Sequence, residues 1–129
     1  MNNEIQVSVR GFAGGEATLY QSKGKTPYCT FRVGASWMRG SGESRESVTE
    51  WFTVKTYAEL ANNCAVSIQK GTPVLVRGRL ETETYASKDE SSHMRTALVI
   101  RADSVGIELG RGSAQYFKTP LPAEESASA

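Results

Sequence analysis

In the run Thr49-Glu50-Trp51-Phe52-Thr53-Val54-Lys55-Thr56-Tyr57 the residues alternate as in a half-buried strand. Successive side chains of a strand point to opposite faces. Phe52 and Val54 therefore share one face, and Trp51, Thr53, Lys55 and Tyr57 share the other. Trp51 and Phe52 are neighbours, so only one of them enters the core. With Phe52 inside, the outer face displays two flat π-surfaces and a cation in one row. Such a row suits bases on a phosphate backbone, because every base has a π-face and the phosphates need cations. The alternative is that both faces are covered, in a sandwich or at a subunit contact.

Further cations fall in register with this face. On strand phase Arg32, Lys55, Arg77 and Arg79 point away from the core, while Lys23, Lys25, Arg39, Arg45 and Lys88 sit on loops. These are the candidate phosphate contacts. Taken singly, each reads first as a solvated surface charge. Phosphate neutralisation would make affinity fall by about 0.7 log units per contact for each tenfold rise in salt.

Catalytic chemistry finds little support. His93 is the only histidine and lies in a polar turn, while Cys29 and Cys64 fall in apolar phase, away from any base. Two cysteines and one histidine make a poor zinc site. Gly24-Lys25-Thr26 resembles the end of a phosphate-binding loop, but Leu19 stands where that loop needs glycine, and no helix pattern follows. No enzyme activity, cofactor or metal is expected.

The elements that must position these residues fit 129 residues, enough for one domain and a tail. Fifteen basic residues against 14 acidic leave a net charge of +1, so a polyanion partner requires the positive charge gathered on one face. Cys29 and Cys64 suit buried thiols in a cytoplasmic protein better than a disulfide framework. The N-terminal residues lack a signal-peptide pattern, and no apolar run is long enough to span a membrane.

Ile5, Val7 and Val9 alternate with polar residues in a first strand, which Ala17 and Leu19 continue after a bulge at Gly11, Gly14 and Gly15. Residues 21–27 form a turn. A second strand over 28–37 turns Cys29, Phe31, Val33 and Ala35 inward. Trp37 falls in that apolar phase at the strand end, so it is either in the core or swung outward by a bulge. Residues 38–47 read as a flexible loop before the strand that carries Trp51. Over 58–69 the period changes: Leu60, Cys64 and Ile68 recur at four-residue steps, a helix with Gly71 as its C′ residue. Val74, Val76 and Leu80 face inward in the next strand, with residues 81–85 as an extending arm. Residues 86–94 form a polar turn, and 95–103 return as the last strand. From residue 111 to 129 the pattern dissolves into a disordered tail.

Five strands, with one short helix between the third and fourth, give an all-β domain over residues 1–110. That is the order of the OB-fold, a five-stranded Greek-key barrel that binds ligands on the outer face of its second and third strands.

Within this order stand Phe31-Arg32-Val33-Gly34-Ala35-Ser36-Trp37, then Thr49-Glu50-Trp51-Phe52-Thr53-Val54 and Tyr57-Ala58-Glu59-Leu60-Ala61. Lys70-Gly71-Thr72-Pro73-Val74-Leu75-Val76-Arg77-Gly78-Arg79-Leu80 follows. In these runs the chain resembles the bacterial single-stranded DNA-binding proteins of replication and repair, over roughly residues 4–109. It departs at residues 11–16, where that family more often has an Asp-Pro turn. The resemblance implies base stacking on Trp37, Trp51, Tyr57 and Tyr85, where the family commonly has Phe at position 57 and often Trp at 85. It also implies a homotetramer with the first strand as a pairing edge, and a cytoplasmic, nucleoid-associated protein. The family tail ends in aspartates and a hydrophobic dipeptide that recruits repair enzymes. Here the last residues are Glu124, Glu125, Ser126, Ala127, Ser128 and Ala129, so the expectation is a short-tailed paralogue that recruits tail-binding partners poorly. Two other readings stay open: an OB module for RNA, a sugar or a primosomal or other protein partner, and a structural module whose aromatics are buried in an oligomer.

Overall fold

A computed structural model describes residues 3–86 and 94–120. Lys88, His93 and the acidic pair Glu124 and Glu125 lie outside the described residues. The strands are β1 (Ile5–Ala13), β2 (Thr18–Tyr20), β3 (Tyr28–Arg39), β4 (Glu46–Tyr57), β5 (Pro73–Ala86) and β6 (Met94–Ile107), with helix α1 (Ala58–Ser67) between β4 and β5.

Alternation sorts the strands as the sequence implies. Cys29, Phe31 and Val33 of β3, Val54 of β4, Val74 and Val76 of β5 and Ile100 of β6 point into one buried cluster. A sheet with one apolar face buries it by curling on itself. The strands follow the order β1-β5-β6-β4-β3, and β1 returns to pair with β3 through Phe12↔Gly34 and Ala13↔Val33. The result is the closed five-stranded barrel of the OB-fold, with β4 and β6 as its parallel pair. After residues 14–17 bulge out, β2 resumes pairing along β3. Past Leu109–Arg111, a single 3-10 turn, the described chain has no regular structure, and Thr119 exchanges side-chain hydrogen bonds with Asn63 of α1.

Helix α1 packs against the barrel through Ala61 and Cys64. It stops at Ser67, earlier than its periodicity suggests, because Ile68 is already extended and buries its side chain. Gly71 does not cap the helix. Its φ of 88° places it in the tight turn closed by Thr72 N–H donating to the Gln69 carbonyl. At the other end Ala58 holds φ 58°, turning the chain directly from β4 into α1, and its N–H donates to Pro27 at 3.0 Å. A left-handed alanine costs about 1 kcal/mol that glycine avoids. Ala58→Gly is therefore expected to raise the unfolding free energy by up to that amount, read from the urea midpoint.

Both thiols are buried and unpaired. Burial pushes the Cys64 thiol up to about 11 from 9.0, with a contribution from Cys29. The Cys29 thiol is raised as well, chiefly by burial, against a hydrogen bond with Thr56 that lowers it. Between pH 9.0 and about 11 the folded state therefore holds a proton that the unfolded state has lost. Stability is full below that window and falls as pH rises through it. Urea melts across the window should show this decline, and Cys64→Ala should flatten it.

Candidate nucleic-acid interface

The outer face of β3 and β4 is built around Trp51. In register Trp51 stands opposite Gly34. A Cβ at Gly34 would meet three atoms of the indole at 3.0, 3.0 and 3.3 Å, and one at Gly14 would meet the ring at 2.6 Å. The Cε3–Cζ3–Cη2 edge of the indole therefore rests against two stretches of bare backbone, and a side chain at either position would press on it. The Gly14 N–H donates to the Arg32 carbonyl at 2.9 Å, which holds that floor together. The Arg32 guanidinium carbon sits 4.7 Å from the indole centroid, a cation–π contact. Trp51 remains 42% exposed, beside a cleft of about 430 Å³ lined by Gly14, Gly15, Thr18, Thr30, Arg32 and Thr53.

Further along β4 comes Lys55, which donates to Glu83 at 3.0 Å. Glu83 belongs to β5, and β6 lies between β4 and β5. The ion pair therefore bridges over β6, where Val99 points outward yet is only 1% exposed. Neutralising Glu83 should free the lysine for a phosphate. An exposed pair contributes about 0.2–1 kcal/mol, so Glu83→Gln should tighten binding of an oligothymidylate by up to about fivefold at low salt. Anisotropy titration checks this, and unchanged affinity would remove Lys55 from the candidate phosphate contacts.

Tyr57 ends β4. Its hydroxyl accepts from Arg101 at 2.9 Å, and the guanidinium lies 5.8 Å from its ring centroid. Arg101 also donates to Glu81 at 2.8 Å, and Glu81 meets Arg79 at 3.0 Å. Donation from Arg101 holds the Glu81 carboxyl below the usual carboxylate range, and the same bond raises the Arg101 guanidinium above its ordinary value.

The remaining candidates are dispersed. Trp37 is exposed, but no bulge turns it: β3 and β4 pair without a register shift from Tyr28↔Tyr57 to Arg39↔Glu46. It keeps the phase of Phe31 and Val33 and lies on the opposite face of the hairpin from Trp51. It escapes the core because β4 pairs with β6 only from Phe52 to Lys55, so the hairpin runs on beyond the barrel. The loop expected over 38–47 is correspondingly shorter, with strand pairing through Arg39 and Glu46 and a 3-10 turn at Gly42–Ser44. Arg39 is paired with Glu46, whereas Arg45 has no ion partner among the described residues. Tyr85 is 50% exposed on the β5–β6 arm, opposite Arg95. Arg77 lies between β1 and β6, paired with Asp103 at 3.1 Å and remote from Trp51. Arg79 pairs with Glu81 and Glu4. Lys23 and Lys25 lie exposed on the turn between β2 and β3.

Gly14, Gly34, Tyr20, Tyr28 and Arg101 belong to this face, yet none stood out as a site residue in the sequence. A glycine in strand phase opposite a tryptophan is a signal for the floor, since aromatics cover cross-strand glycines. It is readable only once the register is known.

A closed barrel with an aromatic, cation-bearing outer face on β3 and β4 defines an OB-fold binding protein. Comparison with known proteins narrows this. The sequence pattern of the "Single-strand binding protein family" matches residues 4–107, and the chain belongs to that family. It is 31% identical over 104 residues to "Single-stranded DNA-binding protein 1" of Streptomyces coelicolor, covering 78% of this chain and 65% of the relative. It is 29% identical over 115 residues to "Single-stranded DNA-binding protein 2" of Tropheryma whipplei, covering 87% of this chain and 74% of the relative. Against a Paenarthrobacter aurescens relative it spans 46% of that protein's length. Among solved structures, the small single-stranded DNA-binding protein from Streptomyces coelicolor superposes with a TM-score of 0.75 at 28% identity. That match covers 86% of this chain and all (100%) of the other. The second such protein from Mycobacterium smegmatis gives 0.65 at 26% identity, covering 90% and 100%.

Proposed function

We propose that this chain coats single-stranded DNA without regard to sequence, during replication, recombination or repair in the bacterial cytoplasm. The observation that carries this reading is the exposed indole of Trp51, held by Gly14 and Gly34 along one edge and by Arg32 over its ring. A flat ring fixed before binding loses little freedom when a base stacks on it, and stacking accepts any base. Lys55 and Tyr57 extend the same face, and Trp37 and Tyr85 supply rings on the two projecting hairpins. In this reading residues 1–110 bind DNA, residues 111–129 are a tail, and the working form is a homotetramer.

Intrinsic tryptophan fluorescence titrated with poly-thymidine at low and high salt tests it. Saturable quenching that weakens with salt is expected. Absence of quenching at every salt concentration would sink the reading. Competition with poly-uridine and with duplex DNA separates it from an RNA-binding role.

A further inference from the structure

We infer a second base-stacking platform, formed by Tyr20, Tyr28 and Tyr57 at the far end of the β3–β4 face, for the bases of a single DNA strand. This rests on the DNA-binding reading above, which already includes Tyr57, and adds Tyr20 and Tyr28 to it.

The three rings form one row across three strands. Tyr20 pairs with Tyr28 across β2 and β3, and Tyr28 pairs with Tyr57 across β3 and β4. The Tyr20 and Tyr28 rings are stacked, with centroids 4.7 Å apart and planes 16° apart. Tyr28 and Tyr57 follow at 6.2 Å and 35°. All three stay exposed, at 45%, 38% and 39%. The barrel core lies on the other side of the sheet, so core packing does not explain them. What the row lacks is a cover.

A cation lies at each end of the row. Arg101 lies against Tyr57 and is held there by Glu81. At the other end the β2–β3 turn carries Lys23 and Lys25, exposed and without an ion partner among the described residues. These lysines are far from Trp51, and the tyrosine row gives them a base to accompany. Six residue steps along β4 lead from Trp51 to Tyr57, about 20 Å at strand rise. A strand running along β4 past Lys55 would therefore meet one aromatic platform at each end of the face.

The test compares a Tyr20→Leu/Tyr28→Leu double variant with a Tyr20→Phe/Tyr28→Phe double variant, using anisotropy of a labelled oligothymidylate long enough to saturate the wild-type chain. Leucine keeps apolar bulk and removes the π-face, whereas phenylalanine keeps the face. The leucine pair should lose at least about fivefold in affinity and the phenylalanine pair should bind within about twofold of wild type. Equal affinity of both pairs and wild type overturns the platform. Photocrosslinking of the wild-type chain to oligothymidylate carrying 5-iodouracil gives a reading independent of how the variants fold. Adducts on Tyr20 or Tyr28 are expected, and adducts confined to Trp37, Trp51, Tyr57 or Tyr85 overturn the proposal. A wild-type chain that binds no oligothymidylate would remove the DNA-binding reading itself, whereas binding without these effects removes only the platform.

Discussion

Trp51→Ala is expected to weaken oligothymidylate binding by about 5- to 150-fold, the range set by roughly 1–3 kcal/mol for a base stacked on an aromatic ring. The upper part of that range is expected here. Gly14 and Gly34 make room for one edge of the indole and Arg32 lies over its ring, so the ring is positioned before DNA arrives. Ordering a free side chain on binding would otherwise cost about 0.5–1.5 kcal/mol. Trp51→Phe should recover most of the affinity, because a ring remains. Gly34→Ala should reduce it although the tryptophan is retained, since the added methyl would meet the ring at 3.0 Å and displace it. Anisotropy titrations of the three variants at one salt concentration check the order. Unchanged affinity in Trp51→Ala would take the indole out of the interface.

Gly78→Ala should destabilise the fold by about 1–3 kcal/mol or more, the cost of overpacking a tight site. For a domain near 100 residues that lowers Tm by about 4–8 °C per kcal/mol. Gly78 lies at the register shift between β5 and β6, where the pairing skips a residue. Its missing side chain would point inward, against the Arg101 carbonyl oxygen and 2.7 Å from the Ala102 Cα. Both obstacles are backbone, so no rotamer change relieves the clash. A bulge bends its strand sharply, and that bend helps the sheet close into a barrel. Gly106 on the same hairpin has nothing within 4 Å of its Cβ position. Gly106→Ala should therefore change stability by no more than about 0.5 kcal/mol. Thermal melts followed by circular dichroism compare the two, and matching Tm values would show that the bulge tolerates a methyl group.

The core was legible in the sequence because strand phase is a local property. Val33 and Val54 stand between polar or glycine neighbours, and Val74, Val76 and Ile100 keep the two-residue phase of their strands although Leu75 and Val99 are apolar too; each of the five lies in the core. Barrel closure followed from the order of the elements. Trp37 shows where local reasoning stops. Its phase was readable, but its exposure depends on how far β6 extends beside β4. The charges follow the same logic. Lys55 and Glu83 stand 28 residues apart, and they meet because the topology puts β4 and β5 on either side of β6. Outward phase identified Arg77 and Arg79 as surface cations but carried no information about Asp103 or Glu81 beside them. The tyrosine row is likewise a product of register. Tyr20, Tyr28 and Tyr57 are scattered along the chain and become neighbours only when three strands align.

The β3–β4 hairpin is a blade with one indole on each side. Trp51 lies on one flank and Trp37 on the other, and the edge between them is the turn over residues 40–45. A polynucleotide is a single thread, so a short piece laid along one flank leaves the other indole in water. Only a thread long enough to round the edge can touch both. Oligomer length then decides how many indoles a single bound oligomer can engage, and fluorescence quenching at one oligomer per chain should rise in two steps as the oligomer is lengthened.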